Sequence, residues 1–189
     1  MELINNLDIW LFHVINKGFA NPLFDFVMPF ITTNQNWILV YVFFLSWMIW
    51  KGEKRHKYAF IVLIVTIIFV DQMNSAFLKD IFGRLRPCQV LSDVRLLVPC
   101  GGGKSFPSSH ASNTFAAATV LSYFIREYKY IFYSLAVLIS FSRIYYGVHY
   151  PADVFAGAVF GVLSAVVFIF IFLKIEKLSN KKNLQFKLF

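Results

Sequence analysis

Three groups of residues in this chain have types and spacings suited to handling a phosphoryl group. Lys79 is separated by six residues from Arg86-Pro87, Pro107-Ser108-Ser109-His110 follows, and Ser142-Arg143 is separated by five residues from His149, which is separated by three from Asp153. Converging Lys, Arg and helix N-terminal amides hold a phosphate, and imidazoles supply nucleophilic and acid–base chemistry. A competing signal overlaps the middle group. Gly103-Lys104-Ser105 matches the end of a nucleotide-binding P-loop, whose first glycine stands five residues earlier. Position 98 is valine, and the preceding segment is polar and carries Arg95 instead of forming a buried strand. The run Gly101-Gly102-Gly103 therefore reads as a flexible loop.

The elements that must position these residues are built for lipid. Of the 189 residues, 58% are hydrophobic and 15% charged, against about 45–50% and about 25% in soluble domains. Apolar runs lie at 37–50, 58–78, 108–125, 130–141 and 154–175, several near the roughly 20 residues that cross a bilayer as a helix. The first segment, 9–33, is interrupted by Asn21-Pro22. It reads as an amphipathic helix followed by a short membrane helix, spanning or re-entrant. The expected fold is all-α: a polytopic bundle of about six transmembrane helices forming a single domain over 1–189. Within it, 79–107 is an outer catalytic loop and 176–189 a cytoplasmic tail. The acidic start, MELINNLDIW, does not read as a cleavable signal peptide.

Charge gives the orientation. Eleven of the 18 Lys and Arg fall in three clusters: Lys51, Lys54, Arg55 and Lys57; Arg126 and Lys129; and Lys174, Lys177, Lys181, Lys182 and Lys187. They follow alternate apolar runs, so one face carries all three, and the positive-inside rule makes that face cytoplasmic. The N-terminus is expected on the same face. A net charge of +8 distributed in this way argues against a nucleic-acid surface. Lys79, Arg84, Arg86, Arg95, Lys104 and Arg143 collect on the outer face instead, where an anion site explains them better than headgroup contact.

Neighbouring residues are weighed in the same way. His149 has an arginine six residues before it and an aspartate four after, whereas His13 and His56 lack such partners and read as packing or capping residues. Asp71, Asn74 and Ser75 precede Lys79 by one to two turns. Intramembrane carboxylates are functional candidates, but a structural hydrogen bond is the favoured reading here. Two cysteines, no H-x-x-x-H pair and few clustered carboxylates argue against a metal centre, and no cofactor is expected.

Together the three motifs resemble the type 2 phosphatidic acid phosphatase superfamily of integral-membrane lipid phosphatases. Its signature is K-x6-RP, PSGH and SR-x5-H-x3-D, and the resemblance covers Lys79 to Asp153. Ser109 stands in the glycine place of PSGH, which puts fine substrate geometry in doubt. Phosphate-ester hydrolysis requires an in-line nucleophile and neutralised equatorial oxygens. Lys79, Arg86 and Arg143 are the expected cations, Ser108 a hydroxyl, and the amides of Ser109 and His110 the open end of a helix. His149 is the expected nucleophile, forming a phosphohistidine. Asp153 would fix its tautomer, and His110 would serve as general acid and then base.

Members of this size handle phosphatidate, phosphatidylglycerol phosphate, undecaprenyl pyrophosphate or lipid A 1-phosphate. The last two lead as expected partners, at the outer face of a bacterial inner membrane. A membrane anion transporter is a rival, although the chain lacks the matched repeats of one. An inactive scaffold is another. Vanadate haloperoxidases have a similar site but are soluble. Cys88 and Cys100, both on the outer loop, form either a disulfide permitted by an oxidising compartment or two packed thiols.

Overall fold

The computed structural model describes residues 2–186. At its start, α1 (Glu2–His13) runs into a π-turn (Val14–Gly18). Asn21 then caps α2 (Pro22–Thr32): its side-chain oxygen accepts from the Phe24 amide at 2.9 Å, and Pro22 occupies the first turn, where a missing N–H costs nothing. After a short 3₁₀ turn comes α3 (Ile38–Trp50). The fourth helix, α4 (Lys54–Met73), continues through a π-segment (Asn74–Leu78) and a last turn (Lys79–Phe82), then stops at Gly83 with a left-handed φ of 58°. Three more complete the bundle: α5 (Ser109–Phe124), α6 (Lys129–Tyr145) and α7 (Pro151–Phe186). The fold is all-α, and the stretches Lys54–Val90 and Pro151–Ser179 are long and apolar enough to cross a membrane.

The core joins α4, α5 and α7. Val62, Leu63 and Val70 meet Ala116, Val120 and Leu121 of α5 and Ala165 and Ile169 of α7. Glycines allow α5 and α7 to approach closely. A Cβ on Gly157 would lie 2.6 Å from the Ser108 carbonyl oxygen, and one on Gly161 would lie 2.1 Å from that of Ser112. Gly157-x3-Gly161 is thus a small-residue seam of the kind that drives close helix association in membranes. It matters for chemistry because it sets the start of α5 against the start of α7.

One end of the bundle gathers the basic clusters. Arg55 Nη1 contacts Glu127 Oε1 at 2.5 Å, and the Tyr58 ring packs on Phe172 at 4.9 Å, which brings the α3–α4 and α5–α6 turns beside the far part of α7. Of the tail residues, Lys187 lies outside those described.

The N-terminal segment departs from expectation. Instead of starting at the basic end, it lies at the opposite end, beside the loop that follows α4. Asp8 accepts from Arg84 and from the Ala152 amide, Lys17 pairs with Asp93, and Asn16 binds Arg95. A 12-residue helix is about 18 Å long and cannot bring its start across a core of about 30 Å. Hydropathy parity fails here because α2 and α3, at 11 and 13 residues, are both shorter than a span. Asn21 meets the Tyr145 hydroxyl at the loop end, whereas Trp47 meets the His56 ring edge-on at the basic end. The two short helices together carry the chain from one end to the other.

Candidate active site

The site is assembled where four chain segments meet. Lys79 begins the last turn of the α4 continuation, Arg86 lies in the following loop, Ser108 opens α5, and Arg143 lies in the last turn of α6 just before His149. Gly147 makes the last turn. Its φ is 82°, and a Cβ there would lie 2.4 Å from Val94 Cγ1, so only glycine fits between α6 and the loop. His149 is left buried at 2% exposure, beside the first turn of α7.

The residues of the three motifs come together. His110 lies within the fields of Arg143, His149, Lys79 and Arg86, and His149 within those of Asp153, Arg143 and Arg86. Arg86 Nη1 donates to the Cys100 carbonyl at 3.2 Å, while Arg86 Nε and Arg143 Nε are buried with no hydrogen-bond partner among the described residues. Such donors in a buried cationic cluster suit an anion. Ser108 is fully buried and caps α5, its Oγ 3.5 Å from the Ala111 amide, and its own N–H donates to the Asp153 carbonyl at 3.0 Å. Ser109 begins the helical turn whose amides face outward from α5.

Asp153 is the most heavily engaged carboxylate at this end. Its Oδ2 accepts from Ser105 Oγ at 2.7 Å and from the Tyr150 amide at 2.8 Å, and lies 3.5 Å from His149 Nδ1. Its Oδ1 accepts from Arg84 Nη1 at 2.8 Å. The carboxylate is therefore held by three donors, with the imidazole placed alongside it. Burial pushes the His149 pKa down from the ordinary 6.5 to about 4. Asp153 opposes the shift, and the Arg143 and Arg86 charges add to it. The ring is thus neutral near pH 7, the form in which a nitrogen lone pair is free to attack.

Two participants escape sequence reasoning. Ser105 belongs to the glycine-rich stretch that reads as plain loop, yet its side chain is fully buried on Asp153. Arg84 is visible only as one of six basic residues on the wrong face, because no spacing rule ties position 84 to position 153. Of the residues expected to be structural, Ser75 Oγ donates to the Asp71 carbonyl at 2.7 Å, whereas the Asn74 side chain is buried with no hydrogen-bond partner among the described residues. His56 Nδ1 accepts from the Glu53 amide at 2.9 Å as a helix cap, and Asp71 accepts from Asn113 at 3.1 Å. Cys88 and Cys100 are joined by a disulfide across the loop.

Helices made for lipid, with a cationic two-histidine cluster at one end, define a membrane lipid phosphatase. A model of the PAP2 superfamily matches residues 56–177, from the first turn of α4 through most of α7. The chain is 34% identical over 179 residues to a lipid A 4′-phosphatase of Bacteroides thetaiotaomicron, covering 90% of this chain and 79% of that protein. It is 26% identical over 150 residues to undecaprenyl-diphosphatase BcrC of Bacillus subtilis, covering 78% of this chain and 75% of that one. The crystal structure of Aquifex aeolicus LpxE superposes with a TM-score of 0.74 at 32% identity, over 86% of this chain and 94% of that one. The chain belongs to the PAP2 superfamily.

Proposed function

We propose that this protein removes a phosphate from a lipid phosphate or pyrophosphate through a phosphohistidine on His149, without a metal ion. The observation that carries the reading is the convergence of Lys79, Arg86 and Arg143 on two histidines, one of them seated against Asp153. The His149 Nε2 lone pair attacks phosphorus as the lipid oxygen departs, and His110 gives that oxygen a proton. His110 then takes a proton from water, which attacks the phosphohistidine and releases inorganic phosphate. Lys79, Arg86, Arg143, the Ser108 hydroxyl and the first amides of α5 neutralise the equatorial oxygens. Asp153 holds Nδ1 and stabilises the cationic ring of the intermediate.

The setting we propose is the outer face of a bacterial inner membrane. The basic end of the bundle faces the cytoplasm, α2 and α3 together make one crossing of the membrane and α4, α5, α6 and α7 one each, and α4 to α7 form the catalytic core. Lipid A phosphate is the leading substrate, supported by the relative that matches 90% of the chain; the 4′ position comes before the 1 position on the same ground. Undecaprenyl pyrophosphate is the second reading, supported by the undecaprenyl-diphosphatase likeness, and phosphatidylglycerol phosphate follows. Phosphate release from a panel of these lipids, with purified protein in detergent, tests the proposal. Release from lipid A alone selects the leading substrate, and release mainly from undecaprenyl pyrophosphate selects the second. Silence on the whole panel would favour a scaffold or an anion transporter.

A further inference from the structure

The first helix holds an unexpected place. Asp8, Phe12 and Asn16 recur every four residues and are exposed by only 6%, 0% and 0%, so they form one buried face. Each meets the catalytic end. Asn16 donates to the Arg95 and Tyr145 carbonyls, both at 2.8 Å, and accepts from the Arg95 amide at 2.9 Å. The Phe12 ring packs on Tyr150 at 5.7 Å, one residue from His149. Asp8 makes the most direct connection. Its Oδ1 accepts from the Ala152 amide at 2.8 Å, and its Oδ2 accepts from Arg84 Nη2 at 2.6 Å.

Arg84 is shared between two carboxylates. One nitrogen, Nη2, binds Asp8, and the other, Nη1, binds Asp153. Its guanidinium also lies 3.9 Å above the Tyr150 ring centroid, and its carbonyl accepts from the Ser105 amide at 2.7 Å. A planar fork held on both sides and stacked below has little freedom to turn. Ser105, which also binds Asp153, is therefore positioned through the same residue.

We propose that Asp8 and Arg84 are positioning residues for phosphoryl transfer: Asp8 fixes the Arg84 fork, and the fork fixes the Asp153 carboxylate against His149. Sequence places Asp8 and Asp153 145 positions apart, yet one guanidinium joins them. In this arrangement α1 is part of the catalytic apparatus, although no residue of it touches the phosphate. Its exposed apolar side chains, Leu3, Leu7 and Trp10, leave the opposite face to lipid. The inference rests on the assignment of His149 and Asp153 in the proposed mechanism.

The test compares Asp8→Asn and Arg84→Lys with the parent enzyme on one lipid phosphate, measuring kcat, KM and thermal midpoint in detergent. The asparagine keeps an acceptor for the Ala152 amide and removes the charge that holds Arg84. Arg84→Lys keeps the charge and removes the fork, so it stands in if Asp8→Asn fails to fold. Misplaced supporting groups cost on the order of tenfold to a hundredfold in turnover, so kcat should fall on that scale while KM changes less than about twofold. In an Asp153→Asn background, Asp8→Asn should lower kcat little further, because its route of action is already broken. A lowered midpoint with kcat unchanged would overturn the proposal, as would a change confined to KM or an equal loss of kcat in both backgrounds. Substantial activity in His149→Ala would instead remove the mechanism beneath it, so the two failures are distinguishable.

Discussion

Breaking the Cys88–Cys100 bridge should loosen both the fold and the grip on phosphate. The two cysteines are 12 positions apart, and closing a loop of that length removes about 3 kcal/mol of unfolded-chain entropy at 25 °C in the chain-entropy account. For a protein of this size, each kcal/mol moves the thermal midpoint by about 2–4 °C, so the double variant Cys88→Ser/Cys100→Ser should melt about 6–12 °C below the parent. The local effect follows from the Cys100 carbonyl, which accepts from Arg86 Nη1 at 3.2 Å. When that carbonyl is freed, Arg86 has one anchor fewer, and KM should rise more than kcat falls because the phosphate charge is bound in ground and transition states alike. Differential scanning fluorimetry and initial rates on a lipid phosphate in detergent measure both effects, with thiol labelling of denatured protein reporting the bridge. Free thiols in unreduced parent protein would refute the bridge itself. A variant that melts with the parent would refute the stability reasoning, and an unchanged KM would refute the link to Arg86.

His149→Ala should leave less than about a hundredth of the activity, on the scale expected for loss of a reacting group, with the fold intact by thermal midpoint. His110→Ala should harm hydrolysis of a lipid monoester more than of an aryl phosphate, which leaves without a proton; equal losses would count against the acid role. Turnover should survive EDTA and be blocked by vanadate, and specific restoration of chelated enzyme by magnesium or zinc would contradict the metal-free mechanism. Because His149 is held at about 4 against an ordinary 6.5, its unfolded form binds the proton first. Its contribution to stability should be complete above about pH 6.5 and be lost as pH falls through about 4, a slope that His149→Gln should flatten in thermal melts. Gly161→Val should separate α5 from α7 and lower the midpoint, since the added atoms would collide with the Ser112 carbonyl; a neutral result would remove the close-seam account.

The candidate site was legible because its motifs are written in local spacing. Arg143, His149 and Asp153 lie within eleven residues of one another, and Ser108 to His110 open one helix, so sequence neighbours were already near neighbours in space. Composition likewise determined that the helices meet lipid, since hydropathy is a property of each segment by itself. Sequence alone could not say that α1 packs on the catalytic end, because α2 and α3 are each too short to count as a span and simple alternation loses its parity there. Nor could it separate Arg84 from the other cations expected on the same face or Ser105 from its glycine-rich loop. Those assignments depend on partners at long separation: Asp8 at one end of the chain, Asp153 near the other, and a guanidinium between them. Packing alone brings them together, because a buried carboxylate is stable only where donors converge on it, and the folded bundle decides where that happens.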